Sequence, residues 1–424
     1  MENRIRIMHG DIIYSKNRSE LAVFPGHYLV CSDGFVEGIC ESLPEKYSHL
    51  SVQELGRGIL IPAFSDMHIH VSQFPQRGIG MDRLLYDWLT TYTFPQEAKF
   101  SSPDYARQVY DAATSAMMKN GTFYGSMFTT IHRTSCDYLF ERVKSLGMQA
   151  YVGKVNMDQN SPDFLCETCE DSLRETEQFL YDHAESGSVK PILTPRFAPT
   201  CSEQLMKGLG RLARKYHVGV QTHLVESLAE AQSGKNWAEG CACDTEIYEK
   251  TGLLGNGPSI FAHVIFPENR DMEILKKYNS LLVHCPEATT NIIAGIMKTQ
   301  KLLAADRMSM GLGTDIGGGS SPAVYRQIAL TVQLSKLRSF YFPDESGIVS
   351  FAQAFAMATL LPGELFDRVG SLAPGYRFDA LVIDGLEDGG LTRALTPSER
   401  LERFCYTGDD RNITERILGG TTLN

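Results

Sequence analysis

His68 and His70 stand one residue apart at the end of the apolar run Ile61-Pro62-Ala63-Phe64-Ser65-Asp66-Met67. On a strand, side chains alternate faces, so both imidazoles project to the same side, two residue rises apart. Two neutral imidazoles so placed can grip one metal ion. An HxH pair also arises by chance, so it means little without further ligands. His223 and Asp315, each closing another apolar run, supply them. Three imidazoles and one carboxylate suit one divalent ion, Zn²⁺ or Fe²⁺, with a position left open for water. Such an ion draws the pKa of bound water toward about 7. Glu226 follows His223 by three residues. If the strand there runs into a turn or short helix, Glu226 faces the same pocket without binding metal and is suited to move protons. The alternative is a solvated loop glutamate. His263 would stand beside the reacting water as a second base or hydrogen-bond partner. Asp315 lies within Gly311-Leu312-Gly313-Thr314-Asp315-Ile316-Gly317-Gly318-Gly319, whose glycines let backbone approach the site. A phosphate-loop reading of that run fails, because the spacing is wrong and no Lys-Ser/Thr follows.

Elements must exist to bring these residues together. Eight strand-like runs fall at 60–67, 122–128, 150–157, 191–196, 218–223, 259–263, 281–284 and 308–315. Amphipathic helical stretches separate them, among them 103–119, 170–184, 202–216 and 269–277. Strands alternating with helices imply a parallel sheet, and eight such units fit a (β/α)8 TIM barrel over 63–365. In that fold the chemistry sits at the C-terminal strand ends. The proposed strands end near His68 and His70, then Thr129 to His132, Asp158, Arg196, His223, His263, His284 and Asp315. One such residue could be a satisfied core group; eight in register are hard to assign to packing. Short β-like runs occupy 5–14, 21–31 and 51–56, and again 376–385 and 413–418. Residues 1–62 and 366–424 are therefore expected to form one composite β-sandwich domain closed from both ends of the sequence.

The composition excludes several classes. A net charge of −11 over 424 residues argues against a nucleic-acid surface, which needs a basic stripe. Met1-Glu2-Asn3-Arg4-Ile5-Arg6 has no signal-peptide core, and no stretch approaches the roughly 20 apolar residues of a membrane span. A cytoplasmic protein is expected. Ten cysteines without a secretory signal read as reduced thiols. Cys166–Cys169 and Cys241–Cys243 are too unevenly spaced for a four-thiolate zinc site.

With HxH, His-x-x-Glu, His and Asp at those strand ends, the chain resembles the amidohydrolase superfamily and, within it, the guanine deaminase family. The likeness is carried by His68-Ile69-His70-Val71-Ser72-Gln73-Phe74-Pro75, Trp88-Leu89-Thr90-Thr91-Tyr92-Thr93-Phe94-Pro95, Val152-Gly153-Lys154-Val155-Asn156-Met157-Asp158 and Thr194-Pro195-Arg196-Phe197. Gly313-Thr314-Asp315-Ile316-Gly317-Gly318 and Tyr406-Thr407-Gly408-Asp409-Asp410-Arg411-Asn412-Ile413 extend it over most of the chain. The resemblance implies hydrolytic deamination of guanine to xanthine and ammonia, usually with zinc and usually in a homodimer. It implies metal ligands at His68, His70, His223 and Asp315, a proton shuttle at Glu226, and His263 and Asp315 as the catalytic groups that manage the water proton. Substrate contacts would fall on Gln73, Arg196 and Phe197, together with His70, His223, Glu226, His263 and Asp315. No lysine ends the fourth strand, so the carbamylated-lysine bridge of binuclear relatives is missing and one ion is expected. The chain departs from the family pattern at Val264, where a glycine is usual, and at Glu287-Ala288-Thr289-Thr290-Asn291. Those departures are expected to bear on which heterocycle fits. An oxidised purine, a pterin or a triazine is the nearest alternative substrate, and a non-catalytic scaffold on the same fold is a more distant one.

Overall fold

The computed structural model describes residues 5–228, 230–231, 240–305, 308–343, 347–386 and 394–423; the first four residues, read above for a leader segment, lie outside them. The chain opens with β1 (Ile5–Ser15), β2 (Leu21–Ser32), β3 (Phe35–Cys40) and β4 (Gln53–Pro62). β1 and β2 form an antiparallel pair whose register slips between Gly10 and Ile12. A side chain at Gly10 would stand 2.7 Å from the Cβ of Leu55, so only glycine lets β4 pass that close.

The barrel strands follow. β5 (Phe64–His70), β6 (Thr122–Phe128), β7 (Gln149–Gly153), β8 (Val155–Asn156), β9 (Val189–Pro191) and β10 (Thr194–Pro195) come first. β11 (Val220–Leu224), β12 (Ser259–His263), β13 (Leu281–His284) and β14 (Ser309–Leu312) complete the set. They build two parallel arcs, ordered β5-β6-β7-β9 and β11-β12-β13-β14. Backbone hydrogen bonds join the arcs at both seams. Leu193 bridges to Val220 on one side. On the other, the Asp315 amide donates to the His68 carbonyl at 2.8 Å and the His70 amide to the Ile316 carbonyl at 3.2 Å. Every residue of β5 and β6 is buried, as parallel strands covered on both faces must be. The helices at Pro103–Lys119, Cys169–His183, Glu203–Tyr216 and Asn269–Lys277 lie where amphipathic periodicity put them. This is an α/β fold of TIM-barrel type.

Three expected strands differ. The run at 60–67 is two elements: Leu60 to Pro62 end β4, and the barrel strand begins at Phe64. The two lie end to end, both buried, so hydropathy carries no mark of the boundary. The third and fourth strands are each broken in two, β7/β8 and β9/β10. Prolines at 191 and 195 remove amide donors from the fourth.

After the barrel, β15 (Ala380–Ile383), β16 (Ile413–Leu418) and β17 (Thr421–Thr422) return to the first strands. β15 pairs antiparallel with β4, giving one seven-stranded sheet ordered β17-β16-β15-β4-β1-β2-β3. Both ends of the sequence thus share a sheet, hydrogen-bonded as one rather than as the two layers of the expected sandwich. Its apolar cluster includes Met8, Ile12, Leu29, Leu60, Phe378 and Ile417. No helix among the described residues is long and apolar enough to cross a membrane.

Candidate active site

At the C-terminal mouth of the arcs, ligand atoms of His68, His223, His263 and Asp315 lie within 4.8 Å of one another. His68 Nε2 is 3.3 Å from Asp315 Oδ1, and His70 Nε2 is 3.5 Å from the same oxygen. His70 Nε2 and His223 Nε2 face each other at 3.0 Å. Three residues expected as ligands, His68, His223 and Asp315, thus share that group with His263, and His70, the fourth, stands against it through Asp315 and His223. Gly313 makes room for this, since a Cβ there would lie 2.8 Å from that of His68 and 2.9 Å from Cys285 Sγ.

Protonation is strained in this cluster. Burial pushes the His68 imidazole down to about 3. Burial, then repulsion from neighbouring imidazoles, pushes His70, His223 and His263 well below the usual histidine range. Burial raises Asp315 to about 8, against the pull of Arg196. Neutral imidazoles with free lone pairs are what a metal ion binds. Buried His68 Nε2 has no hydrogen-bond partner in the structure, nor does either ring nitrogen of His263. His223 Nδ1 is 2.6 Å from the Arg196 carbonyl, so it carries the proton and leaves Nε2 bare toward the cluster. These residues fit a divalent cation.

Glu226 lies at the edge of the cluster, with Oε1 3.4 Å from His263 Nε2. His263 Nε2 is in turn 3.9 Å from Asp315 Oδ2. Burial raises Glu226 to about 8, the Asp315 charge adds to that, and Arg196 opposes it. Beyond it, burial and then Glu226 itself raise Glu230 to about 8. Val225, His263, Val264 and Asp315 all hold positive φ, between 44° and 73°. Such backbone costs about 1–3 kcal/mol per residue and persists where surroundings over-determine it, commonly at functional sites.

The cavity over the cluster is lined by His70, Gln73, Arg196, Phe197, His223, Glu226 and Asp315, with Leu85, Trp88, Leu89 and Ile292 as apolar walls. Trp88 and Leu89 come from a short helix, Leu85–Trp88, that continues through a π-turn, Leu89–Thr93, into the helix Phe94–Ala98. Sequence reasoning missed Glu97 on that last helix. It is fully buried, 2.6 Å from Arg196 Nη1 and 2.8 Å from Gln73 Nε2. Its spacing is not that of any metal ligand; only its place in Phe94-Pro95-Gln96-Glu97, beside the Trp88-to-Pro95 stretch, could have signalled it.

The departures from the family pattern lie off the cavity. Val264 is buried and does not line it. Glu287 accepts from Ser320 Oγ and from Gln327 Nε2, and Asn291 Nδ2 donates to the Gly318 carbonyl at 2.7 Å. The altered segment braces the glycine turn after Asp315 from behind. Of this region, Ile292 and Gly318 reach the cavity wall.

An α/β fold of this type, with histidines and an aspartate gathered at its strand ends, is the frame of metal-dependent hydrolases. The amidohydrolase family pattern matches residues 59–423, and the chain belongs to that family. Human guanine deaminase is 31% identical over 442 residues, covering 98% of this chain and 95% of its own length. A probable guanine deaminase of Schizosaccharomyces pombe is 34% identical over 86% of this chain and 71% of its own. The crystal structure of C. acetobutylicum guanine deaminase, with guanine bound in its active site, superposes with a TM-score of 0.94 at 38% identity, covering 99% of this chain and all of that one.

Proposed function

We propose that this chain is a guanine deaminase, hydrolysing the C2–amine bond of guanine to give xanthine and ammonia. The observation that carries the reading is one cavity in which Arg196, Gln73 and Phe197 share walls with Glu226 and the His/Asp cluster. The guanine deaminases that match along nearly the whole chain support it.

His68, His70, His223 and Asp315 would hold one divalent ion, Zn²⁺ before Fe²⁺. Bound there, the ion supplies a water acid enough to act as nucleophile at neutral pH. The remaining roles belong to the side chains. Arg196 donates to the purine carbonyl at C6, and Gln73 offers a donor and an acceptor to the ring edge. Phe197 stacks against the base. Glu226, held near a pKa of 8, carries a proton to a ring nitrogen as oxygen bonds to C2. Of the two protons the water gives up, one returns Glu226 to its acid form and the other, taken by Asp315 with His263 as its hydrogen-bonding neighbour, goes to the departing amine. One water enters, its oxygen becomes the C2 carbonyl of xanthine, and ammonia leaves.

The same reading takes the two arcs as a closed (β/α)8 barrel of residues 63–365, with 1–62 and 366–424 as a composite β domain. It takes the working form as a cytoplasmic homodimer, and ten free thiols suit a reducing compartment. The deciding test is purified, zinc-loaded protein with guanine, following loss of ultraviolet absorbance and release of ammonia. Faster turnover of adenine, a pterin or a triazine would overturn the substrate assignment and leave hydrolytic deamination standing.

A further inference from the structure

Glu97 has no place in the chemistry above, yet both of its carboxylate oxygens are committed to residues that line the cavity. One oxygen takes the Arg196 guanidinium at 2.6 Å and the other takes the Gln73 amide at 2.8 Å. Glu97 is fully buried, and Arg196 and Gln73 are 4% and 2% exposed, so no bulk water screens the arrangement. The Phe94 ring, one turn earlier on the same short helix, lies 5.5 Å from the guanidinium carbon. One helix therefore contacts the Arg196 guanidinium through two side chains.

Two consequences follow from the chemistry of a carboxylate. It only accepts hydrogen bonds, so the Gln73 side chain must turn its NH₂ toward Glu97. The Gln73 oxygen is then fixed on the other side, 3.4 Å from the Gly317 amide, and the donor–acceptor order shown to a ligand is set. The second consequence is charge. Arg196 alone would be a buried cation in a small cavity and would favour an anion there. Paired with Glu97 it keeps its spare N–H donors for a neutral carbonyl but presents no net charge.

We propose that Glu97 is the positioning residue that makes this slot select a neutral purine: it locks the Gln73 amide in one orientation and cancels the Arg196 charge against anionic purines. The inference rests on the purine reading of the cavity. It also bears on product release. Deamination converts guanine into xanthine, a stronger ring acid, and an uncompensated guanidinium would hold the xanthine anion.

The test compares wild type, Glu97→Gln and Glu97→Asp as zinc-loaded proteins. Two readouts are used: guanine kinetics, and calorimetric binding of urate, an oxygen-rich purine that is a monoanion at neutral pH. Glu97→Gln keeps the shape and loses the charge. It should raise KM for guanine by about 10- to 100-fold with kcat changed much less, the scale of one lost charged hydrogen bond. It should also bind urate at least about tenfold more tightly than wild type, the direction expected when a buried cation loses its partner. Glu97→Asp keeps the charge, so urate binding should stay as weak as in wild type even where guanine affinity falls. A general loss of structure would weaken both ligands and could not produce this crossover. Urate binding that is unchanged or weaker in Glu97→Gln overturns the proposal, as does a fall in kcat with KM unmoved. Should Glu97→Gln fail to fold, Arg196→Gln with Glu97→Gln removes both charges; tighter urate binding there than in wild type equally overturns it. Urate binding needs no turnover, so a wild type inactive on guanine would sink the proposed function while this comparison still reads Glu97.

Discussion

Glu226 and Arg196 share one cavity and do different work, and single substitutions separate them. Glu226→Gln keeps the shape and removes the proton, so the metal should stay bound while kcat falls by roughly 10² to 10⁴. Metal lost from that variant, measured by elemental analysis, would make Glu226 a ligand. Arg196→Ala deletes the donor to the purine carbonyl and leaves Glu97 without its counter-ion. It should lower kcat/KM on guanine by about 10² or more with metal content unchanged. Adenine offers an amino group where Arg196 needs an acceptor, so its kcat/KM in wild type should fall far below that of guanine. The ligand histidines were legible because they end apolar runs at spacings a strand interprets. Glu97 was not, because its partner lies 99 residues away and only the folded chain brings the two together.

At the scale of elements, the site depends on a seam. Asp66, wholly buried two residues before His68, accepts from the amide and hydroxyl of Thr314, and so ties the first barrel strand to the turn that carries Asp315. Asp66→Ala strands both donors in the interior, at a cost of about 2–4 kcal/mol. Its melting temperature and its metal content should fall together; a fall in temperature with full metal occupancy would show that the seam does not position the ligands. Strand ends were readable from sequence where a titratable residue stops an apolar run, as at His263 and His284. The break between β4 and β5 was not, since Ile61 and Phe64 are both fully buried although they serve different sheets, as is Ala63 between them. β3, with Phe35 exposed and Gly38 inside it, lacked the alternation that marks a strand.

Across the whole molecule, metal and stability are linked. Five buried titratable groups converge where a cation would relieve them, and an ion that binds only this arrangement stabilises it by mass action, about 4 kcal/mol at a thousandfold excess over Kd. Chelation should therefore abolish activity and lower the melting temperature by several degrees, with Zn²⁺ restoring both at one ion per chain. An unchanged melting curve after complete removal would mean that the ion does not bind this cluster in preference to the unfolded chain. The seven-stranded sheet has a consequence during synthesis. β4 gains its partner β15 only after roughly 300 more residues have been made, about 15–60 s at 5–20 residues per second. Through that interval the emerging chain carries an open strand edge made of Ile59, Leu60 and Ile61, the kind of edge that recruits a neighbouring nascent chain. The ribosome-bound protein, rather than the finished one, is where this sequence is most exposed to aggregation.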